Sequence, residues 1–197
     1  MQNWLDVVAL VVLAFQFPIP LFWLFVHPFK GFWIRHPRQA YYIVGPAVWG
    51  GVTAALIVFR DWLLADRLPH REAFWLLGAI LLLLDFQLLY KVERDLGWRI
   101  LVGLPELLPA QHRGRLAQEG VYALVRHPRY LGMMLAYFAA ASLARAPRLF
   151  GVAVVGCLLA VLISELEERE LLERLGEEYA GYRQRVPRFI PRLWGKA

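Results

Sequence analysis

One cysteine, Cys157, is all that 197 residues contain. A lone thiol excludes an intramolecular disulfide and a thiolate metal cluster, and its position midway along an apolar run reads as a small core residue. Metal-ligand spacing is missing as well. His27, His36, His70, His112 and His127 fall at no interval that would gather them, with one another or with carboxylates, around an ion. No glycine-rich phosphate loop follows a strand pattern, which leaves no room for a soluble dinucleotide fold. The opening Met1-Gln2-Asn3-Trp4 has neither a basic leader nor a small-residue cleavage site, so a cleavable signal peptide is not expected.

What the chain has in abundance is apolar surface. Hydrophobic residues make up 59%, with 8 Trp and 12 Phe, and the mean hydropathy is +0.44. Soluble domains carry less apolar content, so an all-α integral membrane protein is expected. Five apolar runs stand out, at 4–26, 40–59, 73–90, 130–144 and 149–163. The first three are long enough to cross a hydrocarbon core of about 30 Å. The last two flank Arg145-Ala-Pro-Arg148 and read as a tight antiparallel hairpin, with both arginines snorkelling at its turn. The expected organisation is one membrane domain over 1–197. Its first part, 1–90, holds three spans. The second, 91–192, holds a polar loop, the hairpin 130–163 and a C-terminal helix.

Charge sets an expected orientation. With five spans, 17 of the 22 Lys and Arg fall on one side. The positive-inside rule makes that side cytoplasmic and places the N-terminus outside, in a bacterial or archaeal inner membrane. The net charge of +6 is then explained by topology and by contact with anionic lipids, not by nucleic-acid binding.

Several local features bear on the site. Pro18 and Pro20 should break or kink the first span. Gly45, Gly50 and Gly51 permit close helix approach in the second. The loop 91–119, spaced with Gly97, Gly103, Pro105, Pro109 and Gly114, is long enough to be functional. Ser164 and Glu167 have capping-box spacing, unless the fifth span simply continues through them. Leu171, Leu172, Leu175, Tyr179 and Tyr182 recur at helical spacing, giving a face for the bilayer surface or for the polar loop. Gly176 should interrupt that helix, and Val186-Pro-Arg-Phe-Ile-Pro191 should trail along the membrane. Ile34-Arg-His-Pro-Arg38 echoes Val125-Arg-His-Pro-Arg129. The first copy is accounted for by proline in a helix's first turn and basic residues at a membrane edge.

The second copy is richer. Arg126, His127 and Arg129 precede the hairpin, and Glu167-Glu168 follow it, so the hairpin can bring both groups to one membrane surface. Arginine offers planar donor forks for a carboxylate. A carboxylate pair receives an ammonium or sulfonium. Together they complement an amino-acid-like zwitterion. Glu167 and Glu168 lie about 100° apart on a helix, so only one can point straight into a given pocket. Asp85 is an acid within an apolar span, a functional candidate by default or a partner for an arginine. If the acceptor is a neutral amine or thiol, Glu168, His127 or Asp85 can take its proton.

Gly120-x-Tyr122-x-x-x-Arg126-His127-Pro128-x-Tyr130-x-Gly132 comes first. It is followed by Glu167-Glu168-x-x-Leu171-x-x-x-x-Gly176-x-x-Tyr179-x-x-Tyr182 and Val186-Pro-Arg-x-x-Pro191. This pattern resembles the isoprenylcysteine carboxyl methyltransferase and phospholipid methyltransferase superfamily over roughly 95–192. Upstream, Lys91-Val-Glu-Arg-Asp-Leu-Gly97-Trp98 is also similar. The resemblance implies a small membrane enzyme that uses S-adenosylmethionine in a cytoplasmic pocket, while a lipophilic acceptor enters from the bilayer. It implies that Tyr122, His127, Pro128, Arg129 and Tyr130 line the cofactor site, with Arg115, Leu116 and Ala117 in the aligned segment before them. Glu167 would receive the ammonium group, with Glu168 beside it; on the residues themselves, Arg126, Glu168 and Asp85 are the candidates for catalysis.

Two departures bear on the acceptor. The family's cofactor-side histidine is replaced by Gly114, with His112 nearby. The isoprenylcysteine enzymes place an arginine for the substrate carboxylate where this chain has Ile163. A thiol, lipid amine or other membrane nucleophile therefore stands beside a prenylcysteine carboxylate as acceptor. Membrane sterol reductases, which use NADPH, share a similar C-terminal pattern. They have Asn after His-Pro and Asp after the following Gly, where this chain has Arg129 and Met133. A non-catalytic membrane binding protein is the third reading.

Overall fold

The computed structural model describes residues 2–97, 107–108 and 116–192. Among these residues it is all-helical, and four stretches are long and apolar enough to cross a membrane: Trp4–Arg35, Pro37–Val58, Glu72–Leu96 and Pro147–Leu175.

The first stretch is broken where the prolines fall. Helix α1 (Gln2–Gln16) stops at Phe17, and α2 (Pro18–Val26) restarts with proline at its first position. An unbroken helix would bond the Gln16 carbonyl to the N–H of residue 20, but Pro20 has none. Tyr137 instead donates its hydroxyl to the Gln16 carbonyl at 3.2 Å. A 3-10 turn (His27–Phe29) and α3 (Lys30–Arg35) complete the stretch. The next begins with α4 (Pro37–Gln39), passes through a π turn at Ala40–Val44, and continues as α5 (Gly45–Val58). The short α6 (Arg60–Leu63) leads to α7 (Glu72–Leu96), which ends at Gly97 with φ +79°.

The hairpin pairs α8 (Pro128–Ala144) with α9 (Pro147–Leu175). The expected span at 130–144 proves to be the centre of the bundle. With 17 residues, α8 is about 25 Å long. It is flanked by α1, α7 and α9. Its alanines 136, 139, 140, 141 and 144 are fully buried, and side chains this small let neighbouring helices pack closely. Arg145 turns the corner with φ +52°. Instead of snorkelling, it is buried and donates to the Leu68 carbonyl at 3.0 Å. Arg148 is held by Asp66 at 2.6 Å and lies 4.8 Å over the Trp62 ring. The same end carries a two-pronged Arg67–Asp6 pair at 2.7 and 2.8 Å.

Helix α9 runs unbroken through Ser164, whose hydroxyl donates back to the Val161 carbonyl at 2.8 Å. The capping-box reading therefore gives way to continuation. Gly176, φ +54°, separates α9 from α10 (Glu177–Arg185). The apolar face after Ser164 meets the loop: Tyr179, Tyr182 and Val186 are buried with Leu116, Leu171, Leu172 and Leu175.

Candidate active site

Two segments, each shaped by a proline, build the floor of the site. The residue before a proline is driven out of the helical region. His127, before Pro128, has φ −124°, and Val186, before Pro187, has φ −109° and ψ 129°. They lie side by side. Arg126 N–H donates to the Pro187 carbonyl at 2.9 Å and His127 N–H to that of Arg188 at 3.1 Å. The segment 186–191, expected to trail along the membrane, pairs with the Arg-His-Pro turn and forms a wall of the site.

Above this floor Glu168 is 0% exposed and fully engaged. Its Oε1 accepts from Arg126 Nε at 3.0 Å and Nη2 at 2.8 Å, from His127 Nε2 at 2.9 Å and from Arg188 Nε at 3.0 Å. Its Oε2 accepts from Arg188 Nη2 at 2.8 Å, with Arg183 Nε at 3.4 Å. A charge this deeply buried persists only because cations surround it. Arg126 also ties in the carbonyls of Arg183, at 3.1 Å, and of Val186. Glu165 takes the remaining reach of Arg188, at 2.6 Å.

Glu167, one residue earlier, faces another way. Its side chain is 32% exposed, and Oε2 lies 3.8 Å from His127 Nδ1, beyond hydrogen-bond range. Tyr122 stands within electrostatic reach of both Glu167 and Arg129. Its 3-10 turn (Gly120–Ala123) is pinned twice. Val121 N–H donates to Asp95 Oδ2 at 3.0 Å, and Tyr182 donates its hydroxyl to the Tyr122 carbonyl at 2.7 Å. Burial pushes the Tyr182 phenol up to about 12, so it keeps the proton that makes this bond. Tyr179 is buried beside Glu167, Glu168 and Arg126, and its hydroxyl has no partner among the described residues.

Arg129 and Asp85 form a second centre. Asp85, 2% exposed, accepts from Gln16 Nε2 at 2.8 Å and faces Arg129 Nη1 at 3.5 Å. Arg129 Nη2 closes the ring on Gln16 Oε1 at 2.6 Å. Tyr130 is buried with its ring 5.6 Å from His127, and Pro128 is buried at the helix start. Leu116 packs on the Tyr179–Tyr182 cluster and Ala117 is half-buried. Arg115, Gly114 and His112 lie outside the described residues. Ile163 is fully buried within the apolar core.

Arg188, Arg183 and Gln16 were not singled out from sequence. The available signals were an arginine bracketed by Pro187 and Pro191 and a glutamine directly before the proline break. Away from the site, Glu170 is bonded by His27 at 2.7 Å and by Lys30, an interfacial tie between α9 and the first span. His36 stacks on Phe32 at 4.4 Å, and Pro37 opens a helix, as the first Arg-His-Pro copy requires.

With this geometry in place, comparison with known proteins adds a family. A family model described as phospholipid methyltransferase matches residues 74–178. A methanethiol S-methyltransferase of a Pseudomonas strain is 32% identical over 124 residues, covering 60% of this chain and 44% of that protein. Another, from Pseudomonas deceptionensis, is 28% identical over 145 residues, covering 70% and 52%. Methanethiol S-methyltransferase 2 of Bradyrhizobium diazoefficiens is 38% identical over 76 residues, covering 39% and 29%. The chain thus spans about half the length of these relatives or less. Its four membrane-crossing stretches and the matched region, which takes in the Arg-His-Pro turn and both glutamates, make it a multi-pass member of the phospholipid methyltransferase family.

Proposed function

We propose that the chain is an S-adenosylmethionine-dependent methyltransferase whose acceptor is a thiol reaching the site from the bilayer. The observation that carries the donor assignment is the contrast between the two adjacent glutamates. Glu168 is saturated by arginine and histidine, whereas Glu167 is half-buried and carries no arginine contact among the described residues. A carboxylate that no arginine neutralises suits the ammonium of an amino-acid-like donor.

The residues fit such a donor. Glu167 would receive the ammonium, and the unpartnered Tyr179 hydroxyl offers a polar contact. Tyr122, His127, Pro128 and Tyr130, with Arg115, Leu116 and Ala117, would enclose the rest. Glu168 and Arg126 act here by holding the tail against the Arg-His-Pro turn. The chemistry a sulfonium donor brings is an activated methyl group, taken by in-line displacement, which rewards alignment and exclusion of water over a strong base.

A thiol acceptor is favoured by two facts. The relatives are named for methanethiol, and the position that would address a carboxylate is the buried Ile163. The excess of Lys and Arg on the Arg126 side supports a cytoplasmic site resting on anionic lipid.

The test uses purified full-length protein. Calorimetric titration should show binding of S-adenosylmethionine, and a labelled-methyl assay should yield a methylated alkanethiol. Binding of NADPH without S-adenosylmethionine would transfer the assignment to a reductase. Product recovered only in the phospholipid fraction would replace the thiol by a lipid amine.

A further inference from the structure

Arg129, one of the residues expected at the donor site, also closes a ring with Gln16 and Asp85, and three helices are shaped around it. Asp85 comes from the apolar α7, Gln16 from the last turn of α1, and Arg129 from the first turn of α8. Gly132 lies one turn after Arg129 on the same face. A Cβ there would fall 2.6 Å from Asp85 Oδ1, so the glycine makes room for the carboxylate. The proline break strips the Gln16 carbonyl of its helical donor and gives it to Tyr137, fixing the residue whose amide grips both Asp85 and Arg129. The acid at the centre is nearly sealed, while the Arg129 side chain is 16% exposed. The ring is therefore reached from the arginine side, and Tyr122 lies within electrostatic reach of both that arginine and Glu167.

An ion pair inside an apolar bundle is costly and marks function by default. We propose that Asp85 takes the proton of the acceptor thiol while Arg129 takes over the resulting thiolate, with Gln16 as the residue that positions both. This rests on the thiol reading given above. The S–H bond of the acceptor breaks and an O–H bond forms on the Asp85 carboxylate. Arg129 exchanges one anionic partner, the carboxylate, for another, the thiolate. No net charge is created in a medium where charge is expensive. The thiolate pair then forms the new S–CH3 bond as the donor's S–CH3 bond breaks, and the donor sulfur retains the electrons of the broken bond. The Asp85 proton leaves to water and the Asp85–Arg129 pair is restored. Besides Arg129, the titratable groups facing this pair are Tyr137 of α8 and, beside Arg129, Tyr122 and Tyr130.

The experiment compares an alkanethiol, protonated at neutral pH, with an aryl thiol that is already ionised. Wild-type and Asp85→Asn protein are assayed in proteoliposomes, with S-adenosylmethionine affinity measured in parallel as a check on folding. Asp85→Asn should retain donor affinity, lose about 100-fold or more on the alkanethiol, and stay within a few-fold of wild type on the aryl thiol. Gln16→Ala should show the same selectivity in a milder form, falling in kcat and not in donor affinity. Independently of turnover, adding alkanethiol without donor should raise an infrared band of a protonated carboxyl group in wild type, which Asp85→Asn lacks. Equal loss on both thiols, no loss on either, or no such band in wild type overturns the proton role and leaves the thiol assignment standing. Wild-type protein that methylates neither thiol removes the thiol assignment itself, and this role with it.

Discussion

Gly132 and Asp85 occupy what would otherwise be the same space: a Cβ on residue 132 would meet the Asp85 Oδ1 at 2.6 Å. A single methyl group at this position must push the carboxylate away from Arg129 or push α7 away from α8. Gly132→Ala should therefore destabilise the protein by about 1–3 kcal/mol, the usual cost of overpacking a close contact. Thermal unfolding in detergent, read through intrinsic tryptophan fluorescence, measures it. A stability equal to wild type would show that Asp85 moves aside freely.

Glu167 and Glu168 should separate binding from stability. Glu168→Gln leaves the buried Arg126 and half-buried Arg188 around a neutral amide, and breaking such a network costs about 3–5 kcal/mol. Glu167→Gln removes a half-exposed carboxylate with no close ion pair and should change stability by no more than about 0.5 kcal/mol. Its effect should fall on the methyl donor, whose affinity drops about tenfold or more with the loss of one charged hydrogen bond. Paired unfolding and calorimetric titrations check both. Reversed phenotypes would exchange the two roles.

Arg188 holds the tail against the Arg-His-Pro turn through Glu165 and Glu168. In Arg188→Ala the backbone pairing of 126–127 with 187–188 loses its side-chain anchor. Limited proteolysis should then cut near residue 186 several-fold faster than in wild type, before any global unfolding. Unchanged cleavage would mean that the backbone bonds alone fix the tail.

Asp95 acts at one remove. It accepts the Val121 N–H at 3.0 Å and fills the space where a side chain on Gly120 would lie, a residue whose φ of +60° already favours glycine. Asp95→Ala should raise the KM for the methyl donor with little change in kcat, because losing the Val121 bond loosens the turn that presents Tyr122. A fall in kcat at constant KM would instead place Asp95 in the chemical step.

Much of this was readable from residue order. The apolar runs located the helices, and the proline pair located the break in the first span. The spacing of Arg126-His127 and Glu167-Glu168 around a hairpin foretold their meeting, and His127 does contact Glu168 at 2.9 Å. The role of α8 was harder to foresee. Its 17 residues look like a short span, and hydropathy does not distinguish a lipid-facing helix from one enclosed by others. The tail's partner was not legible because charge and proline mark an extended basic segment without saying what it pairs with. The ring around Asp85 joins residues 16, 85 and 129, whose separations follow no periodicity. Only the packing of α1, α7 and α8 brings them into register.

The break before Pro18 reaches further than the shape of one helix. Residues 1–73 lie outside the stretch matched by the family model and look like a mere anchor. Gln16 nevertheless supplies the amide that holds Asp85 and Arg129. A chimera that swaps in a featureless leucine span would still insert in the bilayer, yet it would strand an acid and a base with nothing to orient them. The anchor and the chemistry cannot be exchanged separately.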